Sequence, residues 1–391
     1  MMPLLQRKKW IQKSSVFTLS LGLAVSSLSF YSGQSYWKEF IQRATAAIVP
    51  AKALPALSFK ARNWGLTSAS AVDAWKIESG SRNIVVAVID TGVDFTHQAL
   101  SPNQWRDPSS PQKTVFGWNF VTNQPNPLDD HGHGTHVAGI LGAVTQPQSG
   151  VSGVAPKVSI MALKYYSESN SGAVNLANTV KAIHYAVDHG AKIINYSGGG
   201  PEFSEQEYLA IRRAEAKGVL FVAAAGNERQ DTDKVQNYYY PSAYRLSNII
   251  SVAAINPENH LLSSSNWGKK KVDVAAPGES ILSTLPGGRY GTMSGTSQAT
   301  AFVSGLAALL LSKNPKLKPE ELKAIIMKSV DRIPKLENRV ATGGRINALA
   351  ALKTLQVGTL ASTAEEAGIP PVLSGPLARS PVSLIGIPAN N

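Results

Sequence analysis

The sequence predicts an α/β fold: a parallel sheet covered by helices on both faces, in three layers. Three observations predict it. Short apolar runs rich in β-branched residues recur between about residues 65 and 357. Segments with apolar residues at helical spacing separate them. Polar residues stand at the ends of several runs, where parallel sheets carry their chemistry. Strands alternating with helices over this length, without an internal repeat, imply sequential βαβ units.

Taken in order, the expected strands are residues 84–89, 158–163, 193–196, 219–224 and 249–254. The first, third and fourth are near-continuously apolar, which suits strands covered on both faces. Leu176, Val180, Ile183 and Val187 mark one face of a helix that Gly190 would end. A second helix, about 205–217, follows Pro201 and is stopped by Gly218. A long helix follows residue 297, with Phe302, Leu306, Leu309 and Leu310 on its apolar face, and Pro319 opens another that runs to about residue 330.

Composition narrows the function. Of 391 residues, 43% are hydrophobic and only 16% charged, enough apolar material for a large core and too little charge for a disordered chain. The absence of cysteine excludes disulfide scaffolds, thiol catalysis and iron–sulfur clusters. The net charge of +12 is concentrated at the N-terminus: residues 1–62 carry nine Lys/Arg against one Glu, leaving +4 for the other 329 residues. The basicity therefore belongs to a leader, and no nucleic-acid partner is expected.

The ends of the chain read separately from the centre. Arg7, Lys8, Lys9 and Lys13 precede an apolar run at 16–30, short for a membrane span and of the form of a secretory signal. Residues 1–46 are expected to be a signal peptide or membrane anchor with a short leader, exporting the chain to the periplasm or the exterior, free or anchored. Residues 47–357 are expected to form one central domain. Residues 358–391 hold Pro370, Pro371, Pro376, Pro381 and Pro388 and no aromatic residue, and are expected to be a flexible tail.

Four segments carry the chemistry. The run 85–89 leads into Asp90-Thr91-Gly92, placing a carboxylate at the mouth of a buried strand. His133 opens an apolar, glycine-spaced helical run. Asn227 ends a second buried strand after Ala223-Ala224-Ala225-Gly226. Ser297 begins the long helix, at its positive N-terminus. Each alone fits a turn or a helix cap; the four together, in the order Asp, His, Asn, Ser, do not arise easily by accident.

From about residue 61 to 352 the sequence resembles the subtilisin-like serine proteases, or subtilases. The resemblance rests on VIDTGVD (88–94), HGTHVAG (133–139), INYSGGGP (194–201), AAAGN (223–227), NWGKKKVDVAAPG (266–278), GTSQATAFVSG (295–305) and GGRINALAAL (343–352). It implies the three-layer subtilisin-like architecture and a serine endopeptidase of polypeptides with an Asp90–His133–Ser297 triad. Chain order Asp…His…Ser sets it apart from chymotrypsin and the α/β-hydrolases. It implies Asn227 as an oxyanion donor, where the acid-acting sedolisins have aspartate, and Ser197-Gly198-Gly199-Gly200 as the strand that pairs with an extended substrate. Ala224, Ala225, Gly226 and Tyr239 would wall the pocket for the residue before the scissile bond. With Tyr239 where many relatives have glycine, that pocket should be shallow and prefer small residues.

The sequence departs from the family in three places. Ala301 replaces the usual proline in the nucleophile segment, at little cost, since alanine is an excellent helix former. Catalysis needs no cofactor and no metal, and the strong structural calcium site should be lost: Ala99 stands where an aspartate ligand is usual, and the loop 145–151 has the wrong length. At most about thirty residues separate the apolar run from the first family segment, too few for the usual folding propeptide, so the expectation is either a chain that folds unaided or an inhibitor acting in trans as a partner.

Two other readings exist. His131, His133 and His136 beside Asp129 and Asp130 have the look of a metallohydrolase cluster, with Thr135 where an aspartate belongs. A catalytically silent subtilase-like binding module is the other.

Overall fold

The structure is a computed structural model that describes residues 47–49, 63–110, 115–146 and 149–356; the side chains of residues 47–49 and 356 are outside that description. The chain divides into two units, 1–32 and 33–391, and every described residue belongs to the second. The expected signal or anchor and the proline-rich tail lie outside the described residues.

The described residues open with Ala47–Val49 (β1), then Trp64–Ser68 (α1) and Ala71–Ala74 (α2). Val85–Asp90 (β2), Gly117–Asn119 (β3), His133–Gly142 (α3), Ser159–Lys164 (β4) and Gly172–Asp188 (α4) follow. Next come Ile193–Tyr196 (β5), Glu205–Ala216 (α5), Leu220–Ala224 (β6) and Ile249–Ile255 (β7). Val274–Pro277 (β8) precedes Ile281–Leu285 (β9) and Arg289–Met293 (β10). The described residues end with Thr296–Lys313 (α6), Pro319–Lys328 (α7), Asp331–Arg332 (β11), Gly344–Arg345 (β12) and Ala348–Gln356 (α8).

Among the described residues, nine strands form one sheet in the order β11-β12-β8-β7-β6-β5-β2-β4-β3, parallel except for β11 against β12. Alternation along each strand sends neighbouring side chains to opposite faces. Val86 and Val88 of β2 join the core that includes Val137 and Leu141 of α3 and Val303 and Leu306 of α6. Ala87 and Ile89 face the other way, into the core of Ile183 from α4 and Ile211 from α5. Each such valine, leucine or isoleucine, fully buried, contributes roughly 1.5–3 kcal/mol of apolar burial. The α/β reading of the sequence is borne out, including both helical layers.

Helix α6 is buried around almost its whole circumference, from Thr296 to Leu311. That explains its apolar composition, which a surface helix would confine to one stripe. It approaches α3 closely because Gly305 lacks a side chain: a β-carbon there would lie 2.6 Å from Val154 Cβ and 3.1 Å from the Leu141 carbonyl.

Helix α5 departs from a simple cap. Ser204 Oγ accepts the Glu207 N–H, but Glu207 does not reach back to Ser204; the Tyr244 hydroxyl takes the Ser204 N–H at 3.2 Å instead. The five expected strands appear within one residue of their expected ends. No strand is expected from the sequence at 274–293, where β8, β9 and β10 lie. Their small and hydroxylated residues, among them Ala275, Ala276, Ser283 and Thr284, leave too little apolar period to read. β1 adds a third strand to the antiparallel pair β9–β10.

Candidate active site

Parallel strands carry the chain repeatedly to the same sheet edge, so the residues after β2, β5 and β6 gather there with the N-termini of α3 and α6. Asp90 is the last residue of β2, and His133 the first of α3. His133 Nδ1 and Asp90 Oδ1 are 2.7 Å apart, each residue only 4% exposed. Asp90 Oδ1 also accepts the Thr91 N–H at 2.8 Å, which fixes the carboxylate at the strand end.

Burial alone would depress the His133 imidazole. The charge and hydrogen bond of Asp90, joined by Asp129, outweigh it and raise the group above its ordinary value. The two neighbouring histidines go the other way. Burial, then the charge of His133, lowers His131; the same causes push His136 down to about 3. His136 Nε2 is bonded to the Gly291 carbonyl at 3.2 Å, and His131 Nδ1 accepts the His133 N–H at 3.3 Å. The histidine cluster seen in the sequence is thus turned toward three different partners. No group of three or more His, Asp or Glu able to hold a metal ion occurs among the described residues.

Ser297 is the second residue of α6 and is buried. The loop after β6 meets the start of that helix: Asn227 Oδ1 accepts the Thr296 N–H at 2.9 Å and its hydroxyl at 3.2 Å. Gly226, with φ +101, makes the turn that delivers Asn227 there. Ser197, after β5, approaches the same helix, its hydroxyl 3.5 Å from the Ser297 carbonyl. Ser197 and Gly198 also line a cleft with Asp90, Thr91, His133, Tyr165 and Tyr166. The four residues singled out from sequence thus stand at one edge of one sheet.

The remaining site residues lie beside this cleft. Gly200 exchanges both backbone hydrogen bonds with Tyr240, at 2.9 and 2.7 Å, which anchors the segment 197–200. Ala224, Ala225 and Gly226 are fully or nearly out of solvent, and so is Tyr239. The Tyr239 ring lies against two walls at once. A β-carbon on Gly199 would collide with it, and one on Gly226 would come within 3.0 Å.

Several supporting groups were not assigned a role from sequence. Lys164, at the end of β4, is buried and donates to the Thr91 carbonyl at 3.0 Å and to Asp130 at 2.6 Å. Tyr165 and Tyr166 line the cleft. Asp129 makes contacts described below. A readable signal was the charge of Lys164 at the end of a strand beside the Asp90 strand.

The chain matches the model of the subtilase family over residues 81–351. It is 38% identical over 296 residues to thermitase of Thermoactinomyces vulgaris, covering 75% of this chain and 97% of thermitase. It is 39% identical over 234 residues to subtilisin E of Bacillus subtilis (strain 168), covering 60% of this chain and 56% of that protein. A crystal structure of a cold-adapted subtilisin-like serine proteinase aligns with a TM-score of 0.59 at 31% identity, covering 70% of this chain and 90% of that one.

Proposed function

The chain belongs to the subtilase family of serine proteases, and from that premise we propose that it cleaves polypeptides through an acyl-enzyme on Ser297. The observation that carries this reading is the buried 2.7 Å contact between His133 Nδ1 and Asp90, which leaves Nε2 as the imidazole's working nitrogen. Serine is a weak nucleophile near its free pKa, so it needs that base.

Ser297 Oγ attacks the scissile carbonyl while His133 Nε2 takes its proton. Asp90 holds the imidazole in the Nδ1–H tautomer and stabilises the imidazolium. The oxyanion is bound by Asn227 Nδ2 and the Ser297 N–H at the positive end of α6. The imidazolium then protonates the leaving nitrogen and the C–N bond breaks. Water, deprotonated by His133, attacks the ester, and the proton returns to Ser297 as the acid product leaves. Every step uses groups of this chain, and no cofactor takes part.

Residues Ser197, Gly198, Gly199 and Gly200 form the strand along which an extended substrate pairs, tied down through Gly200 and Tyr240. Ala224, Ala225 and Gly226 wall the pocket for the residue before the scissile bond, and Tyr239 fills its floor. Alanine-sized side chains fit this pocket best. The residues do not fit the family's strong calcium site: Ala99 offers no side-chain oxygen, and its carbonyl accepts the Val144 N–H at 2.8 Å. The basic and apolar N-terminal sequence supports export. No helix among the described residues is long and apolar enough to cross a membrane.

Casein digestion by purified wild type and by Ser297→Ala tests the reading. Digestion that vanishes in a folded variant supports it. Equal digestion by both proteins refutes it.

A further inference from the structure

The aspartate pair before His133, which the proposed chemistry does not use, includes a carboxylate that links the two halves of the site. Asp129 is buried and accepts five hydrogen bonds. Its Oδ1 takes the Thr91 hydroxyl at 2.8 Å and the backbone N–H groups of His131 and Gly132 at 3.0 and 2.8 Å. Its Oδ2 takes the N–H and the hydroxyl of Thr135 at 2.9 and 2.6 Å.

Both threonines pass the constraint on. Thr91 Oγ1 accepts the Gly134 N–H at 2.9 Å, and Thr135 Oγ1 accepts the Asp94 N–H at 3.0 Å. The residue after Asp90 is thereby joined to the residue after His133. The same bonds cap α3. Its N-cap is Gly132, which has no side chain to offer, so the first three N–H groups of the helix, those of His133, Gly134 and Thr135, are met by His131, Thr91 and Asp129 instead.

We propose that Asp129 is a positioning residue for catalysis: it keeps Asp90 and His133 in register and holds a second negative charge close to the start of α3. This rests on the reading of His133 as the general base. The charged and titratable groups acting on His133 are Asp90 from β2, Asp129 and His131 from the loop before α3, and His136 from α3 itself. Lys164, paired with Asp130, stands on the far side of Thr91. Asparagine at 129 keeps the size but turns a donor toward groups that are themselves donors, and it removes the charge.

The test is turnover of a peptide p-nitroanilide with alanine before the scissile bond, by the full chain, between about pH 5 and 9. Asp129→Asn should lower kcat about tenfold or more with KM within about threefold of wild type. Its acid limb should move to lower pH, because one anion favouring the imidazolium is gone. A folded Asp129→Asn enzyme whose acid limb stays in place overturns the proposal. Should that variant not fold, Thr91→Val decides, since it keeps the charge and cuts the tie to Gly134. A kcat loss of about threefold or more with an unmoved acid limb is expected there, and an unchanged kcat overturns the proposal. A folded wild type that does not turn over the substrate fails differently: it removes His133 as base, and the proposal with it.

Discussion

Asn227 spends its carboxamide oxygen on Thr296, accepting that residue's N–H and hydroxyl at 2.9 and 3.2 Å. With the oxygen committed, the NH₂ group is fixed in direction before substrate arrives, so it need not reorganise as negative charge develops. Asn227→Ala should therefore lower kcat by about 10²–10³ with little change in KM, the size of loss known for such a donor in a subtilisin. Steady-state kinetics on a peptide p-nitroanilide checks it, and an equal rise in KM at unchanged kcat would count against an oxyanion role.

The raised His133 sets the pH dependence. Burial pulls the imidazole down, but Asp90 and Asp129 together hold it above its ordinary 6.5. In the proposed mechanism His133 acts as the neutral base, so kcat/KM should fall on the acid side with an apparent pKa above 6.5. A profile flat from about pH 5 to 8 would exclude a histidine base. The same shift bears on stability: this group's contribution is full below the unfolded-state value and is lost as pH rises through the folded one.

Tyr239 is wedged against Gly199 and Gly226, so its removal should open the pocket. Tyr239→Gly should raise kcat/KM for phenylalanine relative to alanine before the scissile bond by about tenfold or more. It should also cost about 3–5 kcal/mol of stability, as truncation of a buried aromatic does. Paired substrates measured on both proteins give the ratio; an unchanged ratio places Tyr239 outside the pocket.

Glu207 offers a stability test remote from the chemistry. A phenol has one proton, yet the Tyr244 hydroxyl faces two acceptors, the Ser204 carbonyl at 2.9 Å and Glu207 Oε2 at 2.8 Å. The ionised Glu207 takes the phenol proton at the expense of the Ser204 carbonyl, whereas a protonated Glu207 relieves the conflict by donating to the phenol oxygen. Burial, opposed by the Tyr244 hydrogen bond, lifts this carboxyl from 4.5 to about 7. The folded state thus binds the proton more tightly than the unfolded one, and stability falls as pH rises between those two values. Glu207→Gln keeps the donor without the charge and should stabilise the protein by about 1–3 kcal/mol at pH 8, with little effect at pH 4. Denaturant unfolding at both values checks it, and equal effects at the two would contradict it.

Much of the fold was legible because the buried parallel strands are continuous apolar runs. Residues 193–196, Ile-Ile-Asn-Tyr, mark their strand even though Asn195 interrupts the run, since Asn195 is bonded to Ser304 within the core. β8 to β10 were not legible because they are short and their apolar residues are interrupted by alanine, glycine, serine and threonine, which leaves no clear period. The site divides the same way. Asp90, His133, Asn227 and Ser297 stand at element ends that the sequence marks. Asp129 was visible only as half of an acidic pair. Its significance depends on Thr91, 38 residues earlier, and folding alone brings the two together.

The central claim is that Ser297 is the nucleophile. The most direct measurement treats the purified full chain with a fluorophosphonate and locates the adduct by peptide mapping and mass spectrometry. One adduct is expected, on Ser297, and none in folded Ser297→Ala. Labelling of a different serine, or equal labelling of the variant, would contradict it.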